Sequence, residues 1–136
     1  MTGRVVLDSW AILRLLDDGP NAVLVESAVA SGDALMSWIN LGEVAYIVTR
    51  RHSEQAADAV VADVRSSVDV QLPDAPLVLA AAKIKAAMPM AYADAFAAAT
   101  AVRCDAPLLT GDPELLVRPD TSTKLRPWRW VDLRTP

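Results

Sequence analysis

The sequence has one cysteine, Cys104, and one histidine, His52, among 136 residues. A lone cysteine excludes an internal disulfide framework and any cysteine-rich zinc site, and a lone histidine excludes the multi-histidine metal centres. A Ser-His-Asp triad would rest on His52 alone. That residue stands in Arg50-Arg51-His52-Ser53, which reads as a helix end, where an imidazole complements the negative pole of the helix dipole. Long apolar runs are also missing. The longest extends from about Ala75 to Ala82, well short of the roughly 20 residues of a membrane span. Near the N-terminus three apolar residues follow Arg4 before Asp8 interrupts, whereas a secretory signal needs about 7–15. The expectation is a cytoplasmic protein with no membrane partner, whose chemistry comes from carboxylates, hydroxyls and a borrowed ion.

A chain that is 53% hydrophobic and 22% charged is globular, and its length fits one domain. Net charge is −4, but unevenly spread: residues 1–117 carry 8 basic and 15 acidic groups, residues 118–136 carry 5 and 2. An acidic body with a basic tail suits binding cations in one place and phosphates in another.

The β-branched run at Arg4–Leu7 predicts a buried strand, and Asp8-Ser9 can cap a helix over about 10–16. Further helices are expected at about 21–30, from Ser37 to Arg51, from Ser53 to Ser66, over 75–88 and over 92–104. Strands are expected at 34–36, 68–72, 107–110 and 128–133. Strands separated by helices predict an α/β fold with a mostly parallel central sheet flanked by helices.

Four acids stand where a purely solvated role is awkward. Asp8 and Asp112 follow predicted strands, and the carboxyl ends of parallel strands are where ligands bind. Asp94 lies in the first turn of an alanine-rich helix and shares a face with Ala97, Ala98 and Ala101, so it is expected to point inward. Glu43 lies between Ile39 and Ile47 on the second apolar face of its helix, opposite Leu41, Val44, Ala45 and Val48. Taken singly, the aspartates read equally as caps or turn residues, and Glu43 as a partner of Arg50. Taken together, carboxylates about 5 Å apart repel by roughly 3 kcal/mol per pair at an effective dielectric near 20. Convergence would demand a compensating cation, and Mg²⁺ or Mn²⁺ suits an all-oxygen donor set.

The strand-Asp-Ser start, the mid-helix Glu in Ser37-Trp38-Ile39-Asn40-Leu41-Gly42-Glu43-Val44, the helix-start Tyr92-Ala93-Asp94-Ala95 and Leu109-Thr110-Gly111-Asp112-Pro113-Glu114-Leu115 together resemble the PIN-domain family. Length and motif order resemble its VapC-type toxins over essentially the whole chain. The resemblance implies a PIN-like three-layer fold, residues 1–136 forming a single domain. It implies a Mg²⁺- or Mn²⁺-dependent endoribonuclease in which activated water attacks the scissile phosphorus in line. It further implies a homodimer and an inhibitory VapB-type antitoxin. Carried over by position, Asp8, Glu43, Asp94 and Asp112 are the catalytic acids. Asp8, Asp94 and Asp112 hold metal, Glu43 orients water or a second ion, and Ser9 and Thr110 are supporting hydroxyls. Trp10 is bulkier, and Leu115 smaller, than the residues typical of those positions. Glu114 reads as an exposed turn residue or else as a supplement to the four acids.

The Ile39, Tyr46 and Ile47 face is a candidate for dimer or antitoxin contact, or else is covered by neighbouring helices. In the tail, Arg118, Lys124, Arg126 and Arg129 mix with Trp128 and Trp130. Lys124 and Arg126 are the candidate RNA contacts, and the two tryptophans, on one face of a strand, are expected in a core or interface. A haloacid-dehalogenase-type site would need an acid where Trp10 stands, and a receiver domain is a poor match because Lys83 and Lys85 are mid-helix by pattern. The remaining alternative is a catalytically silent PIN-like scaffold that binds metal or a partner.

Overall fold

In a computed structural model Val5–Leu7 forms β1, the fully buried centre of a parallel sheet that grows outward from it on both sides. The structure describes residues 3–117 and 124–134. After β1 come α1 (Ser9–Leu16), α2 (Ala22–Ala30), β2 (Ala34–Ser37), α3 (Trp38–Arg51), α4 (Glu54–Ser67) and β3 (Asp69–Gln71). Then follow α5 (Ala75–Ala87), α6 (Tyr92–Cys104), β4 (Leu108–Thr110) and β5 (Trp130–Asp132). The sheet order is β3-β2-β1-β4-β5, and each neighbouring pair is parallel.

Alternate residues of a strand face opposite sides, and the two cores follow that alternation. Val5, Leu7, Met36 and Leu109 point to one face, where they pack with buried residues of α1, α2, α3 and α4. Val6, Leu35 and Leu108 point to the other, against α5 and α6. The chain winds from β1 through β2 to β3 in one direction and then builds β4 and β5 on the opposite side of β1. Reversing direction with the same crossover hand puts the helices on the other face, which yields three layers.

Caps set the helix starts. The Asp8, Ser37, Ser53 and Asp74 side chains accept from the backbone N–H of Ala11, Ile39, Ala56 and Leu77, each such cap contributing on the order of 1 kcal/mol. The edge strands are shorter than predicted. At one edge only Asp69–Gln71 pairs. At the other, Trp128 precedes β5, fully buried, with its indole N–H donating to the Leu115 carbonyl at 3.0 Å. Trp130 packs against the same core, so both tryptophans serve the core. No helix among the described residues is long and apolar enough to cross a membrane.

Candidate active site

β1 is flanked by β2 on one side and β4 on the other, so the point where the winding reverses lies between the carboxyl ends of β1 and β4. Crevices of this kind bind ligands because loops and helix N-termini open there. Asp8 and Ser9 leave β1 at this point, and Thr110, Gly111 and Asp112 leave β4.

Asp8 is 1% exposed. One of its oxygens accepts from the Ala11 N–H at 2.9 Å, and the other accepts from the Thr110 hydroxyl. Burial pushes its carboxyl up to about 7; the bonds from Thr110 and Ala11 pull against that rise, and the charges of Asp112 and Glu43 add to it. Thr110 Oγ1 in turn accepts from the Asp112 N–H at 3.0 Å. One hydroxyl thus ties the two strand-end acids together. Asp112 is fixed further by the Glu114 N–H, which donates to its Oδ1 at 2.9 Å.

Asp94 enters from α6, in whose first turn a carboxylate faces the positive end of the helix dipole. Residues 94–101 are all buried, because the small alanines let α6 sit tightly between the sheet, α3 and α5. Burial, the charge of Asp112 and a side-chain hydrogen bond to it push the Asp94 carboxyl up to about 8, with smaller contributions from Glu43 and Asp8. Two carboxyls in hydrogen-bonding contact must share a proton or a cation. Glu43 reaches the same crevice from α3 and accepts from the Ser9 hydroxyl, not from Arg50 as one sequence reading allowed.

The structure therefore gathers Asp8, Glu43, Asp94 and Asp112, with Ser9 and Thr110 bonded to them. The tightest group is a different triad: Asp94, Asp112 and Glu114 each bring a carboxylate oxygen within 4.8 Å of the others. Glu114 is indeed an exposed turn residue, and the Asp-Pro-Glu turn nonetheless swings it back onto the acids. Asn40 is a further polar residue in the frame of the site. It is fully buried, and its Nδ2 donates to the Ala93 carbonyl at 3.0 Å, locking α3 to the start of α6. Its Oδ1 is buried without a hydrogen-bond partner. Its signal was a polar residue lying on the Leu41-Val44-Val48 stripe. The donor set is oxygen throughout, and the carboxylates stand close enough to add to the rise that burial gives Asp8 and Asp94, so the residues fit a hard divalent cation.

Lys124 and Arg126 are exposed on the crossover before β5, and no hydrogen bond or ion pair among the described residues joins them to the acids. Arg118 lies outside the described residues. Ile39 and Tyr46 are exposed, so neighbouring helices do not cover that face of α3.

A crevice of clustered carboxylates at the switch point of a parallel sheet is a candidate metal site on an α/β fold, and a family comparison gives the fold its family. The PIN domain family model matches residues 5–120; the chain belongs to the PIN domain family. No curated protein sequence matches it significantly. Among solved structures, the fold is similar to a chain of the DNA-bound VapBC complex of Salmonella typhimurium, with a TM-score of 0.72, 18% identity, and coverage of 97% of this chain and 99% of that one. It is also similar to a chain of the Rickettsia felis VapBC2 complex bound to promoter DNA (TM-score 0.69, 12% identity, 94% and 97% covered). A third similar structure is VapC20 of Mycobacterium tuberculosis, a toxin that cleaves the sarcin–ricin loop (TM-score 0.66, 19% identity, 80% and 90% covered).

Proposed function

We propose that this protein is a divalent-metal-dependent endoribonuclease of the VapC toxin type, acting in the cytoplasm and restrained by a VapB-type antitoxin. The observation that carries the reading is the convergence of Asp8, Glu43, Asp94 and Asp112 from four separate segments into one crevice. Membership of the PIN family and likeness to VapC toxins and VapBC complexes support it.

In this reading Asp94 and Asp112, with Asp8 beside them, hold Mg²⁺ or Mn²⁺. Bound there, the ion would neutralise the scissile phosphate and activate water for in-line attack. Each acid has a support that fixes its aim. The Thr110 hydroxyl and Ala11 N–H hold Asp8. The Ser9 hydroxyl holds Glu43, leaving its second oxygen to orient water or a second ion. The Glu114 and Thr110 contacts hold Asp112, and the Asn40 clamp sets Asp94 against Glu43. A cation also removes the repulsion that would keep an RNA phosphate out. Lys124 and Arg126 remain candidate RNA contacts, and the exposed Ile39 and Tyr46 suit a homodimer or antitoxin contact.

The deciding experiment is RNA cleavage by purified protein with Mg²⁺ or Mn²⁺ and with chelator. Asp8→Asn and Asp94→Asn should fold yet lose metal-dependent cleavage. Cleavage at the parent rate by either variant, freed of contaminating nuclease, would refute the assignment. An inactive parent that still takes up divalent metal would favour the silent scaffold.

A further inference from the structure

Trp10, two residues after Asp8, lies against the backbone of Gly111, so closely that a methyl group there would collide with three atoms of the indole. Gly111 sits between Thr110 and Asp112, which places the indole at the edge of the acidic crevice. Over the same ring stands the Arg14 guanidinium, its carbon 4.1 Å from the ring centroid. The arginine is held from another side by the α1–α2 turn. A side chain at Gly19 would meet Arg14 Cδ and Nη1 at 2.6 Å. Arg14 makes no ion pair among the described residues, although it shares an open cleft with Asp17 and Arg51. The result is a preset cation, one indole away from clustered carboxylates, with guanidinium donors still to be satisfied.

We propose that Arg14 binds a backbone phosphate of the RNA strand next to the one being cut, with Trp10 as its positioning residue. The inference rests on the nuclease reading. An acidic crevice repels a polyanion, and a fixed planar cation at its rim both offsets that repulsion and sets the strand's register. Guanidinium suits the task because its rigid fork matches phosphate oxygens and its flat face stacks on an indole. Gly111 and Gly19 leave the space in which the stack fits.

The test measures binding of a fluorescein-labelled single-stranded RNA of mixed sequence to the inactive Asp8→Asn protein with Mg²⁺, across a salt series. Adding Arg14→Gln should weaken binding about tenfold and lower the slope of log K against log salt by about 0.7, the share of one phosphate. Trp10→Ala should do the same, and combining it with Arg14→Gln should add little. Arg14→Lys should keep the slope but not the affinity. An unchanged affinity and slope for Arg14→Gln overturns the proposal, and so does an RNA that the parent does not bind. If that variant keeps RNA binding but loses a co-purified antitoxin, the arginine serves a protein contact and the proposal fails. Metal-dependent cleavage by the wild-type protein is scored in parallel. Its absence refutes the nuclease reading, while the binding series still decides the role of Arg14.

Discussion

Asp8→Asn should make the metal-free protein more stable while abolishing its metal response. Asp8 is buried and its carboxyl is raised from 3.8 to about 7. A raised carboxyl means that the native state holds the proton more tightly than the unfolded chain does. The associated stability is complete below the unfolded value, near pH 4, and is lost as pH rises through about 7. Some three pK units correspond to on the order of 4 kcal/mol forgone at pH 8. Asparagine carries no charge to lose. It can still accept from the Ala11 N–H, and its amide can donate to Thr110 Oγ1 in place of the bond that Thr110 now donates. With ~3 °C of Tm per kcal/mol for a chain of this size, the variant should melt up to about 10 °C higher at pH 8 in chelator. The gain should shrink to about a third of that at pH 5, where only about one pK unit separates the pH from the unfolded value. Mg²⁺ or Mn²⁺ should raise the wild-type Tm at pH 8 and leave that of the variant almost unmoved. Asp69, Asp74 and Asp132 have lowered values and shape stability only at more acidic pH. Thermal melts at the two pH values, with and without metal, decide the matter. A variant that melts lower at pH 8, or whose gain is the same at both pH values, would refute the electrostatic reasoning.

Other expectations concern neighbouring residues. Glu114→Gln should weaken divalent binding severalfold by calorimetry, with a smaller loss of cleavage than Asp94→Asn causes. Gly111→Ala should destabilise the fold by about 1–3 kcal/mol in urea, because the indole of Trp10 must move; a neutral result would show that the indole has room to spare. Ser53→Ala removes the cap bond to the Ala56 N–H, 3.0 Å long, and should lower stability by about 1 kcal/mol with cleavage unchanged.

Much of this architecture can be read from local rules. The caps Asp8, Ser37 and Ser53 announce helix starts because short polar side chains satisfy free N–H groups there. The unbroken apolar run Val5-Val6-Leu7 announces a strand buried on both faces. Asp94 could be placed inward because alanines at helical spacing have nothing large to bury and so mark close packing. Glu43 stood out because its neighbours one turn away on either side are isoleucines. What local rules miss is what the backbone does between elements. Glu114 joins the acids through a turn whose course follows from no periodicity. Asn40 is a polar residue on an apolar stripe, and its reason, the Ala93 carbonyl, lies 53 residues away. The edge strands shrink because pairing depends on the partner strand, and the stack of Trp10 on Gly111 joins segments that meet only after folding.

The bond between Asp8 and Thr110 spans 102 positions of the chain. During synthesis from the N-terminus, Asp8, Glu43 and Asp94 leave the ribosome well before the strand that completes their pocket. A nascent chain ending at Cys104 would carry three of the acids yet lack both Thr110 and Asp112. On the nuclease reading proposed above, such a fragment would leave the RNA around it uncut. In that reading a chain arranged in this way cannot cut RNA until β4 has been made and has paired with β1.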